Sequence, residues 1–196
     1  MLLEQPVNGI KLPEIVIGVD PGKTGGIAFI PFNGSEFKAV SFPLPVQAKT
    51  YTKKGNEINV DSLHALVMKH CTGVVVRLCM IEAVGNVRAK QGVGSDENQR
   101  NGATSMFNFG DGFGSVRTLC RLTFGSANVC YVWPMTWQRK VLTGPSTLDT
   151  KLRAISYAQR RFPEISLLPT KRHRKPHIGM ADAICIASYA EHILLR

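Results

Sequence analysis

The apolar positions of this chain fall into short unbroken runs and a few longer stretches at helical spacing, separated by polar, glycine-bearing segments. Ile15 to Val19 are β-branched or small, and read as a buried strand that carries Asp20 to its end. Pro21 and Gly22 make a turn and Gly25 to Ile30 resume strand character, so the pattern predicts a hairpin. Alternation returns over Glu36 to Leu44, a third strand, and "PVQAKTYTKKGNEINV" then reads as a polar, lysine-bearing connection. "DSLHALVMKH" predicts a helix capped by Asp61, with Leu63, Leu66 and Val67 on one face. "GVVVRLCMIEAVG" is a buried strand ending near Glu82, followed by glycine-rich polar residues from Asn86 to Gly94. "RNGATSMFNFGDGFGSVRTLCRL" is compatible with a long helix, and "NVCYVWP" is the fifth strand. Helices over "MTWQRKVLTG", "LDTKLRAISYAQRRF" and "HIGMADAICIASYAEHILL" close the chain. This order predicts an α/β fold: an antiparallel meander extended by parallel strands through helical crossovers, with helices on both faces of a mixed five-stranded sheet.

Composition narrows the class. At 196 residues and 44% apolar content, the chain is expected to form a single globular domain over residues 15–196, with 1–14 as an N-terminal extension. The balance of 24 Lys and Arg against 14 Asp and Glu gives a formal charge of +10, which favours a polyanionic partner such as nucleic acid or an anionic membrane surface. No apolar run approaches the roughly 18 to 20 residues that span a bilayer. The first fifteen residues, with Glu4 and two prolines, lack a secretory core, so no membrane partner is expected. The 5 cysteines form no CxxC pair and read as reduced thiols, which implies an intracellular, reducing compartment, cytoplasm and organellar nucleoid fitting equally.

The candidate chemistry sits at the strand ends. Burying a lone carboxylate is costly, so Asp20 either accepts backbone hydrogen bonds in an Asx-type turn or belongs to a site. Glu82 ends a second apolar strand and Asp182 lies on the closing helix, a pattern that permits three acids to converge on one sheet edge.

Three separated pieces, "VIGVDPGKTGGIAF", "CMIEAVG" and "HIGMADAICIASYA", stand in the order and approximate spacing of the acidic motifs of the RuvC-type Holliday junction resolvases, in the ribonuclease H-like superfamily. "SMFNFGDGFGSVRTLC", "YVWPMTWQRKVLTG" and the basic stretch before the last helix resemble the phage and chloroplast branch of that family. The resemblance covers nearly the whole chain from Ile15 onward. It implies a ribonuclease H-like fold and a homodimeric, metal-dependent endodeoxyribonuclease that binds four-way DNA junctions and nicks two strands symmetrically. Asp20, Glu82 and Asp182 carry the acidic motifs and would hold two Mg²⁺ ions roughly 3.5 to 4 Å apart, with Mn²⁺ as the other candidate. Asp20 would bridge the ions.

The chain departs from that pattern just before its last acid. The family supplies a fourth polar or acidic group within about a turn, whereas here Ile178 and Gly179 stand four and three residues before Asp182. His177 is the remaining candidate. It reaches the site only if the helix begins after it, because five residues on a helix rotate a side chain about 140° away, and Pro176 favours such a start. A neutral imidazole there could position or deprotonate water, or ligate manganese; the plainer reading is a solvated histidine in a basic loop.

Lys171, Arg172, Arg174 and Lys175, immediately before the catalytic helix, are expected to contact DNA phosphates, with Lys53, Lys54, Arg139 and Lys140 extending the patch alongside Arg88, Lys90 and Arg100. Phe107, Phe109 and Phe113 interleave with glycines. Core packing, a dimer seam and an aromatic wedge at the junction centre, with Phe107 as its candidate, all fit that stripe. Trp133 and Trp137 are expected in the core. An actin-like or sugar-kinase ATPase would need a second phosphate loop, which the sequence lacks, so no small-molecule cofactor is expected. Two further readings stay open: a non-catalytic nucleic-acid-binding domain of the same fold, and a nuclease acting on RNA-containing or flap substrates.

Overall fold

A computed structural model describes residues 12–52, 55–83, 103–143 and 149–196. The first strand, β1 (Glu14–Asp20), pairs antiparallel with β2 (Gly26–Pro31), and β2 pairs antiparallel with β3 (Val40–Pro43). On its other side β1 runs parallel to β6 (Val75–Glu82), which runs parallel to β7 (Val129–Val132). The sheet order is β3-β2-β1-β6-β7, the mixed five-stranded sheet that the hydrophobic pattern predicts.

Side chains of β1 alternate between two cores, as the period of a strand requires. Ile15, Ile17 and Val19 join one apolar cluster, with Leu63 and Val67 of α1 (Val60–Cys71) and Val116 and Leu119 of α2 (Ala103–Phe124). Val16 faces the other cluster, with Trp137 of α3 (Pro134–Val141), Ala154 and Ala158 of α4 (Thr150–Arg161), and most of α5 (Ile178–Leu194). Helices therefore cover both faces. The closing helix is apolar nearly all round because it is the buried one. It comes so close to β1 that a Cβ at Gly18 would stand 2.2 Å from both Ala183 O and Ala187 N. No described helix is long and apolar enough to cross a membrane.

Several predicted boundaries move. Residues 36–39 are not strand, and β3 begins only at Val40. The segment read as a plain connection folds into a second, two-stranded sheet, β4 (Val46–Ala48) antiparallel to β5 (Asn56–Ile58). Its polar sequence hides it, because a hairpin outside the main sheet need not bury an apolar face. The cap of α1 is Asn59, whose side chain accepts the Ser62 N–H at 2.9 Å, and not Asp61, which sits in the first turn. The helix starts two residues earlier than expected. The glycine-rich stretch from Asn86 to Gly94 lies outside the described residues.

Candidate active site

Parallel pairing decides where the first two acids go. β1 and β6 are neighbours in register at Val19↔Ile81, so Asp20 and Glu82 each stand one residue beyond that pair at the same end of the sheet. Val19 and Ile81 point into the α1/α2 core. By alternation, Asp20 and Glu82 face the side covered by α5. The third acid arrives on that helix. Gly25, in the β1–β2 turn, forms a parallel bridge with Gly179, and Gly18 meets Ala183 and Ala187, so the turn carrying Asp182 crosses the end of β1.

The three carboxylates feel one another. Burial pushes the Asp182 carboxyl up to about 7, the charges of Asp20 and Glu82 push the same way, and Lys151 opposes them. Glu82 is likewise driven up to about 7 by burial; the Trp137 hydrogen bond works against the rise and the charge of Asp20 adds to it. Asp20 is raised by burial and held back by the Gly22 N–H, which donates to its Oδ1 at 3.2 Å. The Asx-type turn and the acidic site are thus one arrangement: the same carboxylate closes the turn and faces the other two. Among the described residues, no three His, Cys, Asp or Glu side chains are gathered into a ready-made ion cage. Three half-buried carboxylates with a single nearby lysine among their influences nevertheless form a hard-oxygen donor set in need of positive charge.

Two of these neighbours escape the sequence reading. Trp137 is 1% exposed and packs in the core as expected, but its Nε1–H also donates to Glu82 Oε1 at 2.9 Å. A buried indole needs such a partner, which is the one signal that would have found it. Lys151, in the first turn of α4, influences Asp182 across the fold, and no local pattern marks it. The expectation for the other tryptophan fails: Trp133 is 57% exposed, because it follows β7 and caps α3 at the open end of the sheet.

His177 is the cap of α5, so the helix does begin after it. Its Nδ1 accepts the Met180 N–H at 3.3 Å. Burial and the neighbouring His173 depress its pKa, which favours the neutral ring. Lys171, Arg172, Arg174 and Lys175 are exposed just ahead of that cap, and Arg139 and Lys140 are exposed in the last turn of α3. Phe107 is 62% exposed on α2. Lys53, Lys54, Arg88, Lys90 and Arg100 lie outside the described residues. The missing fourth acid has a steric explanation. A Cβ at Gly179 would stand 2.3 Å from Thr24 O and 2.5 Å from the Gly25 backbone, so no side chain fits three residues before Asp182.

No family model matches the chain, and no curated protein matches it. Among solved structures it is similar to the Thermus thermophilus RuvC structure, at 20% identity over 92% of this chain and 96% of that one, with a TM-score of 0.51. It is also similar to the yeast mitochondrial Holliday junction resolvase, at 11% identity over 94% of this chain and 80% of that one, again with a TM-score of 0.51. The likeness is one of fold: the mixed five-stranded sheet with helices on both faces is the fold of these two structures.

Proposed function

We propose that this chain is a divalent-metal-dependent endodeoxyribonuclease that resolves four-way DNA junctions by paired symmetrical nicks, working as a homodimer. The observation that carries the proposal is the approach of Asp20, Glu82 and Asp182 at one sheet edge of this fold, each with its pKa raised by burial, Glu82 also by the charge of Asp20 and Asp182 also by the charges of Asp20 and Glu82. Their donor chemistry suits Mg²⁺, with Mn²⁺ as the alternative. When bound, such ions supply an activated water and neutralise charge on the leaving 3′-oxygen.

The chain's own groups do the rest. Asp20 is fixed by the Gly22 N–H and Glu82 by the Trp137 indole, so neither carboxylate has to be ordered when substrate arrives. Lys151 tempers the negative charge around Asp182. His177 starts the helix that presents Asp182, and its role in this proposal is to hold that helix end. Lys171, Arg172, Arg174 and Lys175 stand ahead of the same helix end, where they would bind phosphates flanking the scissile bond. Twofold symmetry would set two such sites on paired strands of the pseudo-twofold junction. Gly110 and Gly114, where a Cβ would meet nothing within 4 Å, leave α2 a low surface suited to that pairing.

The test offers equal amounts of synthetic four-way junction, linear duplex and RNA–DNA hybrid, with Mg²⁺ or Mn²⁺ and with chelator. Paired symmetrical nicks in the junction alone, lost with chelator, are expected; cutting of hybrid but not junction would refute the assignment. Asp20→Asn should abolish nicking while leaving junction affinity nearly unchanged, because it removes a ligand and none of the basic surface. The lack of an acid within a turn before Asp182 favours one second reading, a non-catalytic nucleic-acid-binding domain of the same fold. Binding without cutting under any metal would establish that reading.

A further inference from the structure

The last turn of α3 and the end of α5 enclose a groove of about 270 Å³. Arg139 and Lys140 line it from α3, Tyr189 and Ile193 from α5, and Arg196 from just beyond that helix. Tyr189 and Ile193 are four residues apart and share one helix face. Tyr189 packs half-buried against the core, whereas Ile193 is exposed, as are Leu194 and Leu195 beside it. Large apolar side chains gathered in water and rimmed by polar groups mark a contact surface. No acidic side chain lines the groove.

Its cations are uncompensated. Among the described residues the ion pairs are Arg77 with Glu14 and Arg161 with Glu191, so the acid nearest the end of α5 is already engaged by α4. Arg196 Nε donates to His192 Nε2 at 3.1 Å, which holds the guanidinium over the helix end. Burial lowers the His192 pKa, and the charges of Lys140 and Arg196 push the same way, so cations from both sides of the groove converge here. Ile193 lies about 16 Å along α5 from Asp182, and an occupant of the groove would leave the acids open. A phosphate backbone asks for cations alone. A peptide with carboxylates around one bulky apolar residue matches both halves of the lining, an apolar centre and a charged rim whose arginines suit carboxylate geometry.

We propose that this groove docks an acidic segment of a partner protein, with an apolar anchor seated on Tyr189 and Ile193 and flanking carboxylates held by Arg139, Lys140 and Arg196. The inference goes beyond the proposed nuclease reaction and does not depend on it. Docking at the far end of α5 ties the chain to its partner while Asp20, Glu82 and Asp182 stay free.

The experiment selects a phage-displayed library of random peptides on the full chain in chelator, with duplex DNA in excess so that phosphate-binding surfaces are filled. Peptides that carry carboxylates beside a bulky apolar residue should be enriched. A synthetic copy of the strongest should bind saturably, and should lose about tenfold in affinity when its acids are made amides, in Arg139→Glu and in Ile193→Ser. Ile193→Ser should keep wild-type DNA affinity, and unchanged far-UV circular dichroism would show that both variants fold. No enrichment, enrichment of peptides without acids, or binding untouched by both variants would overturn the proposal. So would enrichment only when DNA is left out, coupled with a loss of duplex affinity in Arg139→Glu, because the groove would then be a phosphate contact. A self-association in sedimentation that Ile193→Ser abolishes would overturn it too, by making the groove a seam between copies of the chain. Cutting is not read in any arm, so failure of the nuclease reading leaves this test intact.

Discussion

Trp137 shows how one side chain can serve two purposes. Nearly all of its surface is buried among apolar neighbours of α5 and the sheet, and its single polar atom points at Glu82. A hydrogen bond to a charged group contributes about 1.5 to 3 kcal/mol, and here it favours the ionised carboxylate that a metal requires. Trp137→Phe keeps most of the packing and deletes the donor. The Mg²⁺ concentration for half-maximal nicking should rise about tenfold, with a smaller change in thermal midpoint. An unchanged Mg²⁺ requirement would reduce the indole to a packing group. The residue type was legible as core; its second duty was not, because Trp137 and Glu82 are 55 positions apart and only the fold brings them together.

At the scale of elements, the junction of α5 with the first hairpin governs the site. The bridge between Gly25 and Gly179 and the close approach at Gly18 fix the helix against β1 and β2, and Ser41 Oγ ties β3 in by donating to Met180 O at 3.1 Å. Gly179→Ala must push this backbone contact apart. It should lower stability by about 1 to 3 kcal/mol, read as a lower denaturant midpoint, and slow nicking by displacing Asp182; a variant as stable and active as wild type would mean that the contact is slack. The same contact explains why the sequence has no acid three residues before Asp182. From the sequence, Gly179 registers only as a missing ligand. Elements with a buried face were readable from their period, whereas β4 and β5, with three residues each and little buried surface, were not.

Over the whole molecule, the acids couple stability to pH and metal. Glu82 and Asp182 have folded-state pKa values raised to about 7 from ordinary carboxyl values. Between those limits the folded chain binds more protons than the unfolded one, so their contribution to stability falls as pH rises, and the loss is complete above the folded values. A bound divalent cation counters it by mass action, and protons compete with the cation at lower pH. The rise in thermal midpoint on adding Mg²⁺ should therefore be larger at pH 8 than at pH 6, and should be largely lost in Asp20→Asn. Equal rises at the two pH values, or a full rise in the variant, would sever the link between these acids and the ion.

The sequence alone determined the strands and helices of the main domain, because burial on one face or two imposes a period that a single chain displays. It also marked Asp20, Glu82 and Asp182 as polar residues at the ends or on the surface of apolar elements. Tertiary structure alone decided that the charges of the three act on one another, since this depends on β1 and β6 pairing in parallel register and on α5 crossing the end of β1. It likewise decided their partners, Trp137 and Lys151. Side-chain contacts between distant segments leave no periodic trace along the chain, so only the folded molecule reveals them.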